Sequence, residues 1–334
     1  MKQIIPFFLF IFLASGVFAQ VGTLTVTNVD STPGTGITVV DYEFSGPAGA
    51  YNISAEVDFD DDVVGFLSID NADISDNLTN IEPGVHSFTW DGKASFDERH
   101  SEQTVVRLTA TQVCGDTYSV TFTYNGDEVT YGTVWRGGLC WLDRNLGADP
   151  MPFDPAGTVT NTETSLYGDL FQWGRGDDGH QVVTWTNSTT GDVTPTTSTL
   201  STTDDPMHSM FITASSLSDW RSDNNDNRWY ADPQENNPCP EGWRVPTEAE
   251  LNAEHPSWTE GNNAAGAYAS TLKWPVGGRR TSTGMLSFVG SHGRVWSSSV
   301  SGTNARGLFF SSSSAFMTNS NRAYGMSVRC VRDN

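Results

Sequence analysis

Carboxylates, an adjacent Ser–His pair and four cysteines are the residues of this chain that could do chemistry, and their spacing limits what each could do. A glycoside hydrolase needs two carboxyl groups at a defined separation across a cleft, and among 40 acidic residues no spacing singles out a pair. Ser291 and His292 are neighbours, so in an extended strand their side chains would diverge, and no Gly-x-Ser-x-Gly elbow surrounds them. No glycine loop of a phosphate-cradling type is present. An extracellular carbohydrate-active hydrolase therefore stands only as an alternative without assigned residues, and no catalytic residue is expected.

Oxygen-rich turns offer the one cofactor worth weighing, calcium. Asp58, Asp60 and Asp62 follow the first ligand spacings of an EF-hand loop, but Val63 replaces its glycine and Ile69 its bidentate glutamate. Asp223, Asn224, Asp226 and Asn227 form a second cluster, in which Asp223 and Asp226 are the candidate ligands; the bland alternative is a solvated turn. Arg175-Gly176-Asp177 spells an integrin-recognition tripeptide, which the surrounding Gln-Trp-Gly phrase explains better as local structure.

Localisation follows from the N-terminus and the cysteines. Lys2, an apolar run from Ile4 to Phe18 and a small-residue end at Ala19 read as a secretory signal peptide over residues 1–19. Cleavage there would leave no transmembrane anchor and place the chain outside the cell or on the outer surface of a bacterium. In that oxidising setting Cys114, Cys140, Cys239 and Cys330 are expected to pair. Of three connectivities the preferred one joins Cys114 to Cys140 and Cys239 to Cys330, although sequence alone leaves the others open. A net charge of −22 disfavours nucleic acid as a partner.

These residues sit in two segments of unlike composition. Residues 20–113 contain a single tryptophan, Trp90, and read as alternating strands at Thr23–Thr27, Ile37–Phe44, Asn52–Phe59, Val85–Trp90 and Thr104–Thr111, separated by turn signals. That pattern predicts an all-β sandwich. Residues 114–334 hold the other ten tryptophans. Here Asn125-Gly126 between Val120–Tyr124 and Val129–Trp135 predicts a hairpin, Thr247 with Glu248 and Glu250 predicts the start of the one good helix, and the Thr/Ser-rich stretch 187–203 reads as an exposed loop.

Resemblances sharpen both segments. Pro83-Gly-Val-His-Ser-Phe-Thr-Trp-Asp-Gly followed by a last strand resembles immunoglobulin-like modules of secreted bacterial proteins, which implies a spacer or adhesion role. In the second segment four phrases occur in order: Trp135-Arg-Gly-Gly-Leu-Cys-Trp-Leu-Asp-Arg-Asn-Leu-Gly, Tyr167-Gly-Asp-Leu-Phe-Gln-Trp-Gly-Arg, Asn237-Pro-Cys-Pro-Glu-Gly-Trp-Arg-Val-Pro-Thr-Glu-Ala-Glu-Leu, and Val295-Trp-Ser-Ser-Ser closing with Ser327-Val-Arg-Cys-Val-Arg-Asp. They resemble the Fibrobacter succinogenes major paralogous domain, a Bacteroidetes-type secreted module. The resemblance implies an α+β C-type-lectin-like fold with long loops, related to formylglycine-generating enzymes. Those enzymes need a late pair of active-site cysteines, where this chain has only Cys330. Trp141, Trp173, Trp243 and Trp296 lie inside the phrases and are expected in the core.

Residues 279–334 also resemble the variable regions of diversity-generating retroelement target proteins, whose lectin-like scaffolds display re-encoded residues; a fixed Ser-rich family member is the favoured reading of the same residues. Strand alternation then assigns Leu308 and Phe310 to the core, and His292, Arg294, Gly307, Phe309, Ser311, Ser314, Phe316, Thr318, Ser320 and Met326 to a ligand surface. Residues 273–334 carry eight basic side chains and one acid, so this segment is cationic within an acidic chain. The expected function is non-catalytic ligand binding, with an extracellular glycan or protein as partner; a structural envelope component is the remaining alternative.

Overall fold

The computed structural model describes residues 22–32, 35–58, 66–92, 105–115, 118–152, 157–214, 218–223, 226–231 and 234–332. The leader at 1–19 and the aspartates Asp60 and Asp62 lie outside the described residues. The chain forms two compact units divided after Tyr118. That is five residues later than the composition shift, because the last strand of the first unit runs on through Gly115.

Among the described residues six strands build the first unit: β1 (Thr23–Ser31), β2 (Ile37–Ser45), β3 (Gly49–Asp58), β4 (Leu67–Ser68), β5 (Gly84–Asp91) and β6 (Val105–Gly115). They make two antiparallel sheets, ordered β1-β2-β5 and β4-β3-β6. Every second side chain of β2 and β3 turns inward, so Val40, Tyr42, Phe44, Ile53, Ala55 and Val57 meet Phe88, Trp90 and Ala110 in one apolar core. All five strands expected from sequence are present, and the layered β architecture with them. Two-residue β4 is too short to carry an alternation signal.

The second unit is also mainly β, with short helices. Asn125 and Gly126 adopt φ of 51° and 87°, the doubly positive turn that lets Ser119–Tyr124 pair with Asp127–Arg136. A five-stranded sheet follows, in the order Trp243–Arg244, Val331–Arg332, Leu139–Leu142, Asp127–Arg136, Ser119–Tyr124. The last strand of the chain thus pairs with one of the first of its unit, and the Cys239–Cys330 disulfide fastens it there. Cys114 and Cys140 are disulfide-bonded too, and no cysteine is free.

Thr247 caps the helix Glu248–Glu254 in a reciprocal capping box with Glu250, so the expected helix forms and runs one turn past Leu251. A further helix, Ala264–Ala269, was not expected; Asn263 caps it, but Gly266 hides it from propensity. That glycine is required, since a Cβ there would lie 1.8 Å from the Gly261 carbonyl oxygen. The stretch 187–203 is not a plain loop: Val183–Asn187 and Thr190–Val193 form a hairpin, and Thr196–Thr197 pairs in parallel with Phe211–Ile212. Trp141, Trp173, Trp243 and Trp296 are all buried, as expected of core residues.

Buried ionisable groups tie this core to pH. Asp169 accepts hydrogen bonds from the Tyr124 hydroxyl at 2.7 Å and the Val183 amide at 3.0 Å, and its burial raises its pKa to about 6. A carboxyl group whose pKa is raised on folding stabilises most below its unfolded value and loses that contribution as pH rises towards 6. Stability of the protein relative to its Asp169→Asn variant is therefore expected to fall by about 2 kcal/mol from pH ~4 to pH ~7. Urea unfolding followed by tryptophan fluorescence at successive pH values measures this, and a constant difference would contradict it.

Candidate functional site

The candidate face is built on an antiparallel sheet of Gly293–Ser301, Asn304–Phe310 and Ala315–Asn321. Its register places Arg294 opposite Phe309 and Phe309 opposite Phe316, a cross-strand row on one face. The alternate residues Val295, Leu308 and Phe310 point the other way, into a core shared with Trp141, Leu251, Trp258 and Trp274. Gly293 permits this packing, since a Cβ at that position would lie 1.9 Å from the Phe310 ring.

A turn before the sheet adds Phe288 and His292. Ring centroids then run in a chain: Phe288 to His292 at 4.5 Å, His292 to Phe309 at 5.3 Å, and Phe309 to Phe316 at 4.8 Å. Phe288 and Phe316 are each 47% exposed, so both ends of the chain are open to solvent. Arg294 lies over Phe309 at 4.9 Å and over Phe288 at 5.9 Å. Arg279 lies over Phe288 at 5.7 Å and over Tyr324 at 4.3 Å.

Two guanidinium groups thus gather on one set of rings. Neither makes a hydrogen bond or ion pair among the described residues, and the Nε atom of each is buried without an acceptor. Burial and the charge of Arg279 lower the Arg294 pKa to about 10, and burial with both arginines lowers that of His292. Four other arginines of the segment make hydrogen bonds through their guanidinium groups: Arg280 with the Gly284 carbonyl and Thr194, Arg306 with Glu248, Arg322 with Asp219 and Asp226, although its Nε is also buried without an acceptor, and Arg329 with backbone carbonyls and Asn145.

Of the residues expected to line the face, His292, Arg294, Phe309, Ser314, Phe316 and Thr318 retain solvent exposure. Gly307, Ser311, Ser320 and Met326 do not, and their assignment to the surface is corrected. Alternation holds for Gly307, but Met326 covers that end of the sheet: a Cβ on Gly307 would lie 2.8 Å from the Met326 methyl group. Ser311 is buried where its carbonyl accepts the Ala264 amide at the start of a helix. Sequence reasoning missed Arg279, Phe288 and Tyr324. The available signal was the Arg279-Arg280 pair: in a strand one must face inward, as Arg280 does, and the other outward.

Ser291 and His292 require a second correction. They lie in a turn rather than a strand, and Ser291 Oγ is 2.8 Å from His292 Nδ1. Ser291 Oγ also donates to the Phe288 carbonyl at 2.9 Å, and no carboxylate hydrogen-bonds to His292 among the described residues.

Elsewhere, Asp223 is gripped by the Nε and Nη2 atoms of Arg221, and Asp226 receives Nη2 of Arg322 at 2.5 Å. Guanidinium groups thus neutralise both calcium candidates, and among the described residues no cluster of three metal-ligating side chains occurs. Arg175 is fully buried, held by Asp178, Gln172 and two carbonyls, so the arginine of the Arg-Gly-Asp tripeptide is not displayed, although Asp177 is exposed. No described helix is long and apolar enough to cross a membrane. Searches of protein-family models, of curated proteins and of solved structures return no match to this chain.

Proposed function

We propose that the chain is a secreted or cell-surface recognition protein, in which an immunoglobulin-like sandwich carries a C-type-lectin-like module that binds an extracellular ligand without turning it over. One observation carries the reading: a chain of aromatic rings open to solvent at both ends is overlaid by two arginines whose guanidinium groups have no hydrogen-bond or ion-pair partner among the described residues. Rigid rings give contact area at small entropic cost, and unpaired guanidinium groups give directional donors. The pairing of the unit's last strand with one of its first supports the lectin-like reading, and the paired cysteines agree with an extracellular setting.

The test is a glycan and protein array probed with the full mature chain and with a Phe288→Ser/Phe316→Ser variant. Both side chains are half-exposed, so the variant should fold. Retention of at least one ligand by the wild type, lost by about tenfold or more in the variant, is expected. Undiminished binding by the variant, or release of a cleaved product from the ligand, would overturn the reading.

A further inference from the structure

We infer that the face around Arg279 and Arg294 takes an oxyanion-bearing saccharide, a uronate or a sulfated sugar, with the anionic group held between the two guanidinium groups and the sugar ring laid on Phe288 or Phe316. This rests on the functional reading above and narrows its ligand class.

The charge argument comes first. In a chain of net charge −22, two arginines over the same Phe288 ring with no ion pair among the described residues are an unbalanced feature. Each leaves an Nε–H buried and unbonded, which destabilises the free protein, and their mutual repulsion adds to that. An anion between them offsets the repulsion and uses the outer Nη donors, for which a carboxylate or sulfate has matching acceptor geometry. Among the described residues His292 and Tyr324 are the other titratable groups in ring contact with this cluster; the lowered pKa of His292 favours its neutral form, and neither group is a carboxylate that would compete for the arginines.

The platform argument selects a sugar over an acidic protein. The open apolar area here is two half-exposed rings in line with a half-buried third. A stable protein interface needs roughly 800 Å² per partner around a broad apolar centre, whereas a saccharide stacks its C–H face on one or two rings. Hydroxyls of Ser291, Ser314 and Thr318 on the neighbouring turns and strand can adapt to sugar hydroxyls. The overall negative charge repels any polyanion at long range, so recognition must be local and sensitive to salt.

The experiment titrates the full mature chain with polygalacturonate, dextran sulfate, neutral dextran and poly-glutamate, and repeats this with Arg279→Ser/Arg294→Ser and with Lys273→Ser as a charge control. Binding to one of the two anionic polysaccharides and not to dextran is expected, with affinity reduced by at least about tenfold in the double arginine variant and by less than about twofold in the lysine control. Which polysaccharide binds tells carboxylate from sulfate. Absence of binding to both, unchanged binding by the arginine variant, or equally tight binding of poly-glutamate would overturn the inference. A neutral ligand lost in the Phe288→Ser/Phe316→Ser variant would meanwhile leave the recognition reading standing, so the two failures are distinguishable.

Discussion

Asp219→Ala is expected to destabilise the second unit by about 3–5 kcal/mol, because it removes the carboxylate that buried Arg228 and Arg322 share, and of the two Arg322 still has Asp226. The Asp219 carboxylate accepts from Arg228 Nη2 at 2.6 Å and from Arg322 Nη1 at 3.4 Å, and all three side chains have zero solvent exposure. It also accepts the Arg221 amide at 3.2 Å. Tryptophan rings wrap the charges: Arg228 lies 5.0 Å from Trp173 and 4.9 Å from Trp220, and Arg322 lies 4.7 Å from Trp173. Removing the carboxylate leaves positive charge in a site that water cannot reach, with cation–π contacts too weak to replace it. Urea unfolding by tryptophan fluorescence measures the loss, since ten of the eleven tryptophans belong to residues 114–334. The double variant Asp219→Ala/Arg228→Met should recover part of it, because one stranded cation goes with its partner. A double variant that loses the full sum of the two single losses would contradict the account.

The second large effect is the loss of the Cys239–Cys330 disulfide. The bridge spans a sequence separation of 91 residues, and closing a loop of that length in the unfolded chain corresponds to about 4–5 kcal/mol. The native consequence is local to the sheet edge, where Val331–Arg332 pairs with Trp243–Arg244. Cys239→Ser/Cys330→Ser is therefore expected to lower the unfolding midpoint sharply and to loosen the C-terminal strand first. Thermal melting with hydrogen exchange of the Val331 and Arg244 amides checks both parts. An unchanged midpoint would contradict the assignment of this bridge to stability.

Local signals in the sequence were reliable where the structure uses local rules. Period-two alternation located β2 and β3 because one side of each faces a single core, Asn125-Gly126 located a turn because few other pairs accept two positive φ values, and Thr247 located a helix start through its capping box. The candidate site was only half legible for the opposite reason. Alternation turned Phe309 outward and Phe310 inward as expected, but it carries no information about Met326 folding back over Gly307. Arg279 and Phe288 join Arg294 across the turns that precede its strand, and Tyr324 joins from a later turn, contacts that strand alternation does not encode. Burial of Arg280, Arg322 and Arg329 was likewise hidden, since arginine is ordinarily read as a surface residue.

Direct observation of the two arginines tests the central claim best. The Nε–H resonances of Arg279 and Arg294, assigned by Arg→Ser substitution at each position, can be followed by NMR while the full chain is titrated with the ligand it binds. Shifts confined to these two resonances, with those of the core residues Arg228 and Arg329 unmoved, are the expected result. Saturation of the ligand site with both resonances unmoved would contradict the assignment of this face to recognition.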